Sequence, residues 1–383
     1  MLFVIGGIVF FFIARSNTAD LLASLELHVD EIVTPTGLPC RPPTYASSFS
    51  GRNGGRLGSP FTAALCTALA ELLPALGTPL AGAVLGWPGR PMADALPLRL
   101  AGGLHHLALS DADPAAVALY REQPTDPDRL AAALPPLLRR WDGRLAAWLE
   151  GPPQTNEVAR SALLLPALLL LARRTGLPLA LWELGASAGL NLQPDAYGYR
   201  YGEAGWGDPG APVRLAPALR GAAPELGGRL VVAARRGCDR APVDLASETA
   251  RLRLLAYIWA DQRERLERCR AAIGLALASG IAVERADAAD FVAAALAEPA
   301  PGCVTVIFHT VVWPYLPLAT RERIQGLLAE AGARRTAEAP LAWLRVEPKA
   351  DAGPRIELSS WPGRRDEMLG EADYHGRWLD WRG

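Results

Sequence analysis

The sequence predicts an α/β fold, a mostly parallel sheet covered by helices, preceded by an α-helical N-terminal domain. Three observations predict it. Residues 59–176 read as successive helices, with apolar residues three, four and seven apart. Beyond Gly176 short apolar runs alternate with long amphipathic segments, the pattern of parallel strands joined by helical crossovers. The first of those runs ends in small residues, "WELGASAGLNL", and strand ends of that kind are where such sheets hold ligands.

A chain of 383 residues, half of them hydrophobic and 21 % charged, suggests about two domains and a sizeable core. The formal net charge of −1 gives no electrostatic case for nucleic acid or an anionic membrane. Lys349 is the single lysine, which we read as coding bias because no arginine cluster accompanies it. The five cysteines lie far apart without a C-x-x-C pair, so reduced thiols are expected rather than a disulfide framework or a zinc site. A cytoplasmic location fits. His105 and His106 are adjacent and point about 100° apart on a helix, so no metal is expected there.

Taken in order, residues 1–55 form an unassigned segment. "MLFVIGGIVFFFIA" is short for a membrane span and lacks a basic leader, and Pro, Ser and Gly follow without a period. A mis-assigned start or an unstructured extension is the leading expectation, with a membrane anchor and a signal segment as the alternatives. Residues 56–172 are expected to be the helical domain and a candidate cap. "SPFTAALCTALAELLPAL" opens with Ser59 as N-cap and Pro60 at the first helical position. "DPDRLAAALPPLLRRWDGRLAAWLEG" aligns Leu130, Leu134, Leu138, Trp141, Leu145 and Trp148 in one stripe, with a break expected at Pro135 and Pro136. "TNEVARSALLLPALLLLARRTG" has Thr155 or Asn156 as cap and Gly176 as its close.

Residues 173–383 are expected to form the α/β domain. Its strands are "LALWEL", "RLVVAAR", "IAVER", "CVTVIFH", "LAWLRVE" and "IELSSW", and residues 250–279 make the clearest amphipathic helix. The bend after the first strand has three readings. Gly185 and Gly189 have no Cβ to obstruct a ligand, and Glu183 is placed to accept from an amine or hydroxyls. "GASAG" also matches G-x-S-x-G, which would make Ser187 the nucleophile of a serine hydrolase. Helices stand where that fold needs strands, and His309 and His375 are the only downstream histidines. The third reading is a glycine turn that binds nothing. Asp239, Asp287 and His309 at three later strand ends favour the first reading, because they converge on one edge.

At these residues a resemblance appears at two levels. From about Leu57 onward the chain resembles an uncharacterised bacterial family, domain of unknown function 2332. "LGSPFTAAL", "GWPGRPMADALPLRLAGGLHHL", "PPQTNEVARSA", "WELGASAGLNL", "RLRLLAYIWADQ", "FHTVVWPYLP" and "HGRWLDW" carry it. That resemblance implies no activity. From about Leu179 the chain also resembles class I S-adenosylmethionine-dependent methyltransferases, which implies a Rossmann-like sheet of methyltransferase type. Glu183, Gly185, Ser187 and Gly189 stand for their E/D-x-G-x-G-x-G loop. "GCDRAP" makes Asp239 the ribose carboxylate, "RADAADF" makes Asp287 the adenine-reading residue, and "FHTVVWPYLP" falls at the substrate-facing motif. Three features depart from the pattern: Pro194 shortens the helix after the loop, "YGYRYGEAGWGDPGAPV" is inserted, and "KADAGP" makes a turn where a helix is usual.

What the resemblance implies is S-adenosylmethionine as cofactor and methyl transfer to an unidentified small-molecule acceptor. His309 would be the base, since imidazole titrates near neutrality, or else a core histidine bonded to backbone. Tyr315 joins it as a candidate catalytic residue and Trp313 shapes the acceptor pocket. Asn156, Glu157 and Arg160 are candidate substrate-binding residues of a polar lid. A serine hydrolase using Ser187 and a non-catalytic nucleotide-metabolite binder are the alternatives.

Overall fold

The structure is a computed structural model describing residues 3–5, 8–10, 59–91, 94–349 and 352–383. Of the apolar N-terminal stretch it gives β1 (Phe3–Ile5) and β2 (Ile8–Phe10), an antiparallel pair. The other expectations for residues 1–55 fall outside the described residues. The chain divides into two compact units, Met1–Gln154 with Leu252–Leu266, and Thr155–Arg251 with Glu267–Gly383.

The first unit is helical: α1 (Pro60–Leu76), α2 (Pro79–Leu85), α3 (Leu96–Leu109), α4 (Pro114–Glu122), α5 (Pro127–Arg140) and α6 (Asp142–Leu149). The first five each carry proline in the opening two positions, where no N–H is missed. Leu65, Leu69, Leu100, Leu104, Leu134 and Leu138 meet in its core. Ser59 does sit at the N-cap, but its hydroxyl caps nothing. It donates instead to Asp261, whose carboxylate accepts the Phe61 N–H at 2.9 Å and so does the capping from 200 residues away. The expected break at Pro135 and Pro136 is absent. α5 runs through both prolines to Arg140, and its leucine stripe, buried at Leu130, Leu134, Leu137 and Leu138, outweighs the lost backbone bonds.

In the second unit a 3-10 turn (Val158–Arg160) leads into α7 (Ser161–Thr175). That helix therefore starts later than the Thr155/Asn156 cap predicts, while Gly176 closes it at φ +67° as expected. β3 (Leu179–Leu184) follows. No α-helix succeeds it: two 3-10 turns, Leu190–Leu192 and Pro194–Ala196, take that place. The insert forms a small sheet of β4 (Gly198–Tyr201), β5 (Ala204–Trp206) and β6 (Arg214–Leu215). Then come β7 (Ala218–Leu219), β8 (Val232–Asp239), α8 (Glu248–Ala256) and α9 (Arg263–Ala278), the two helices divided between the units by the Leu252–Leu266 stretch, so the single long helix expected over residues 250–279 is two. The chain continues through β9 (Val283–Arg285), α10 (Ala288–Leu296), β10 (Val304–Thr310) and α11 (Leu318–Ala333). It ends with β11 (Leu341–Lys349), β12 (Ala352–Trp361), β13 (Arg365–Ala372) and β14 (Trp378–Trp381).

One nine-stranded sheet is ordered β7-β14-β13-β12-β11-β10-β3-β8-β9. Five adjacent strands, β9-β8-β3-β10-β11, are parallel; a meander β11-β12-β13-β14 is antiparallel; and β7 adds parallel to β14. The sheet is thus mostly parallel, as expected, and every predicted run supplies a strand. From β3 the chain builds outward to β8 and β9, then returns to the other side of β3 with β10 and β11. That reversal leaves a crevice at the carboxyl ends of β3 and β10. β10 is buried at all seven positions. Ile307 and Trp343 pack there against Phe291 and Val292 of α10 and Ile324 and Leu328 of α11.

Candidate functional site

β3 delivers Glu183 to the crevice, opposite Phe308 of β10, only 2 % exposed. Burial pushes its carboxyl up to about 8, against a hydrogen bond from Asn191 and the charge of Arg160, with Asp239 adding to the rise. Its Oε2 has no partner among the described residues. A buried acceptor left unmatched costs about 1–3 kcal/mol. The bend that follows alternates left-handed positions: Gly185 at φ +65°, Ser187 at +55° and Gly189 at +73°. Serine adopts that region uncommonly. It is held there because the Ser187 N–H donates to Asp239 Oδ2 at 3.0 Å, while Ser187 Oγ is buried without a partner among the described residues. Asp239, half-buried, also accepts the Ala241 N–H at 2.9 Å.

The expectation that this bend leaves its main chain bare is corrected at Gly185. A Cβ built there would lie 2.5 Å from Val312 Cγ2, so the surface meant for a ligand is covered by a side chain from the turn after β10. Gly189 is filled likewise, by Ile281 and Val283. The turn after β10 is itself constrained. Val311, a β-branched residue, sits at φ +55°, which costs of order 1–3 kcal/mol and recurs at functional sites.

His309 is fully buried, stacked on Trp313 with ring centroids 5.1 Å apart. Trp343 Nε1–H donates to its Nε2 at 3.1 Å. An indole N–H only donates, so Nδ1 carries the imidazole proton and gives it to Glu347 Oε1 at 2.6 Å. With both nitrogens engaged, His309 has no lone pair for an acceptor's proton, against the expectation that it is the base. It is a core histidine, bonded to side chains rather than backbone. Glu347 Oε1 also accepts the Val312 N–H at 2.9 Å, and Oε2 is buried without a partner among the described residues.

Arg160, 8 % exposed, laces the edge together: Nη1 donates to the Thr310 carbonyl at 3.2 Å and Nε to that of Tyr374 at 2.9 Å. Glu157 accepts the Ala159 N–H at 3.1 Å, lies 3.4 Å from His375 Nδ1 and 3.7 Å from Arg268. Gly376, at φ +69°, lets the turn carrying Tyr374 and His375 press onto residue 159, where a Cβ would stand 2.5 Å from the carbonyl oxygen. Tyr315 is 44 % exposed and Trp313 half-buried.

The chain matches, over residues 47–381, a family described as "Uncharacterized protein conserved in bacteria (DUF2332)". The chain belongs to this family. No curated protein and no solved structure matches it.

In this DUF2332 protein the fold brings Glu157, Arg160, Glu183, Ser187, His309, Trp313 and Tyr315 to the ends of β3 and β10. Asp239 and Asp287 close the neighbouring strands β8 and β9. Asp287 is exposed and caps α10 through the Ala289 N–H at 2.8 Å. Asn156 is buried and accepts the Leu190 N–H at 2.9 Å, fixing the turn below the bend. Sequence reasoning missed Glu347, Tyr374 and Val312. A signal for Glu347 existed: "LAWLRVEP" carries an acid at the end of an apolar strand, as "LALWEL" does. No single helix among the described residues is long and apolar enough to cross a membrane.

Proposed function

We propose that the second unit binds S-adenosylmethionine across the carboxyl edge of its parallel strands and transfers the methyl group to a small-molecule acceptor. The observation that carries this reading is the strand order. Numbered along the chain, the parallel strands run third, second, first, fourth, fifth, the order of doubly wound nucleotide-binding sheets. The switch point falls where Glu183 Oε2 and Ser187 Oγ are buried without partners.

The residues present fit the cofactor in part. Asp239 keeps lone pairs for ribose hydroxyls beyond the two N–H groups it accepts. Glu183, holding its proton at neutral pH, offers both a donor and an acceptor. Gly185 fits only if Val312 moves aside. When bound, the cofactor supplies an electrophilic methyl group. The chain's own residues then position the acceptor and exclude water. Nothing among the described residues favours the hydrolase: Ser187 Oγ meets no imidazole of theirs, and His309 is committed to Glu347 and Trp343.

The test is a thermal-shift titration with S-adenosylmethionine, S-adenosylhomocysteine and NAD. At one hundred times Kd a ligand stabilises by about 2.7 kcal/mol, several degrees of Tm for this size. The two adenosyl sulfur compounds should shift Tm and NAD should not. A shift with NAD alone refutes the reading, and tight binding without turnover across acceptors leaves the non-catalytic alternative.

A further inference from the structure

The two oxygens of Glu347 stand in different circumstances. Oε1 is saturated by His309 Nδ1–H and the Val312 N–H; Oε2, on a residue 6 % exposed, meets no donor among the described residues. The bonds behind it run one way, from the Trp343 indole to His309 and from His309 to Glu347. They fix the carboxylate in place. Two phenols feel the charge of this carboxylate. Burial raises the Tyr374 phenol to about 12, and the Glu347 charge adds to the rise. The protein crowding the Tyr315 phenol raises it too, with Arg160 opposing and Glu347 adding, although 44 % of the residue meets solvent.

We propose that Glu347 Oε2 is the acceptor of an amine-binding subsite, and that the small molecule taken there offers it an ammonium or N–H group. A carboxylate oxygen shielded from water and held in place by the bonds to its partner oxygen matches a cationic nitrogen in charge and in donor count. A carboxylate or phosphate ligand would meet like charge. The inference deepens the methyl-transfer reading by naming the acceptor as an amine, and rests on that reading only for the reaction, not for the binding.

The test is ligand-observed NMR with a fragment set matched in carbon skeleton, each as amine, alcohol and carboxylate, on the native chain and Glu347→Gln, without S-adenosylmethionine. The glutamine Oε1 still accepts from His309 and Val312, while its NH2 replaces the acceptor at Oε2 with a donor. The proposal expects amines to dominate the native hits and to weaken at least ten-fold in Glu347→Gln, alcohols changing little. Hits not enriched in amines, or amine hits unchanged in Glu347→Gln, overturn it. If that variant does not fold, Tyr315→Arg replaces it: residue 315 is 44 % exposed and interacts electrostatically with Glu347, so a cation there should weaken amines and spare alcohols, and equal loss of both overturns the proposal. Because the cofactor is absent, failure here is separate from failure of S-adenosylmethionine to bind.

Discussion

Glu183 shows how one residue links the fold to the site. A carboxyl placed at the end of an apolar strand is cut off from water, and its ionised form suffers. Its folded value is raised to about 8 from an ordinary 4.5, so between those pH values the folded chain binds more protons than the unfolded one. Stability from this group is therefore complete below pH 4.5 and is lost as pH rises to about 8, an effect on the order of several kcal/mol. Glu183→Gln, which keeps the shape and removes the titration, should flatten that part of the stability curve. It should be more stable than the native chain at pH 9 by chemical denaturation. Parallel curves for the two proteins would show that Glu183 ionises normally. Glu183 was legible in the sequence because a carboxylate interrupting an apolar run is conspicuous. Glu347 was no less conspicuous, but its importance comes from His309 and Val312, partners 38 and 35 residues away that no local pattern announces.

At the scale of elements, two turns face each other across the switch point, one after β3 and one after β10. Gly185→Ala puts a side chain at φ +65° and against Val312 Cγ2, so it should destabilise by about 2–4 kcal/mol in urea unfolding. Adding Val312→Ala should return about 1–3 kcal/mol of that loss, a coupling expected only for groups in contact. Strict additivity would mean the turns do not touch. Elements were read from sequence with uneven success, for physical reasons. Apolar runs became strands because β-branched and aromatic residues need burial on a pleated surface. α5 ran through Pro135 and Pro136 because a leucine stripe buried in a core outranks local propensity. The helix over residues 250–279 divided because its apolar stripe says nothing about the turn between Ala256 and Arg263. The strands β13 and β14 escaped notice: exposed charge in "RRDEMLGEA" hid the former, and "WLDW" is too short to show a period.

At the scale of the whole molecule, the fold class was legible because alternation of strand and helix leaves few topologies, and the switch point follows from strand order. What the sequence could not reveal is occupancy. Small residues at a strand end are read as room for a ligand, yet the same residues permit the close approach of a neighbouring turn, and Val312 uses that permission. A covered Gly185 and a strained Val311 make the β10 turn the element that must yield if an adenosyl group is to bind. Isothermal titration of S-adenosylhomocysteine into the native chain and into Val312→Ala tests this most directly. The account predicts saturable binding to the native chain and tighter binding to Val312→Ala. Heat of dilution alone with both proteins would contradict it.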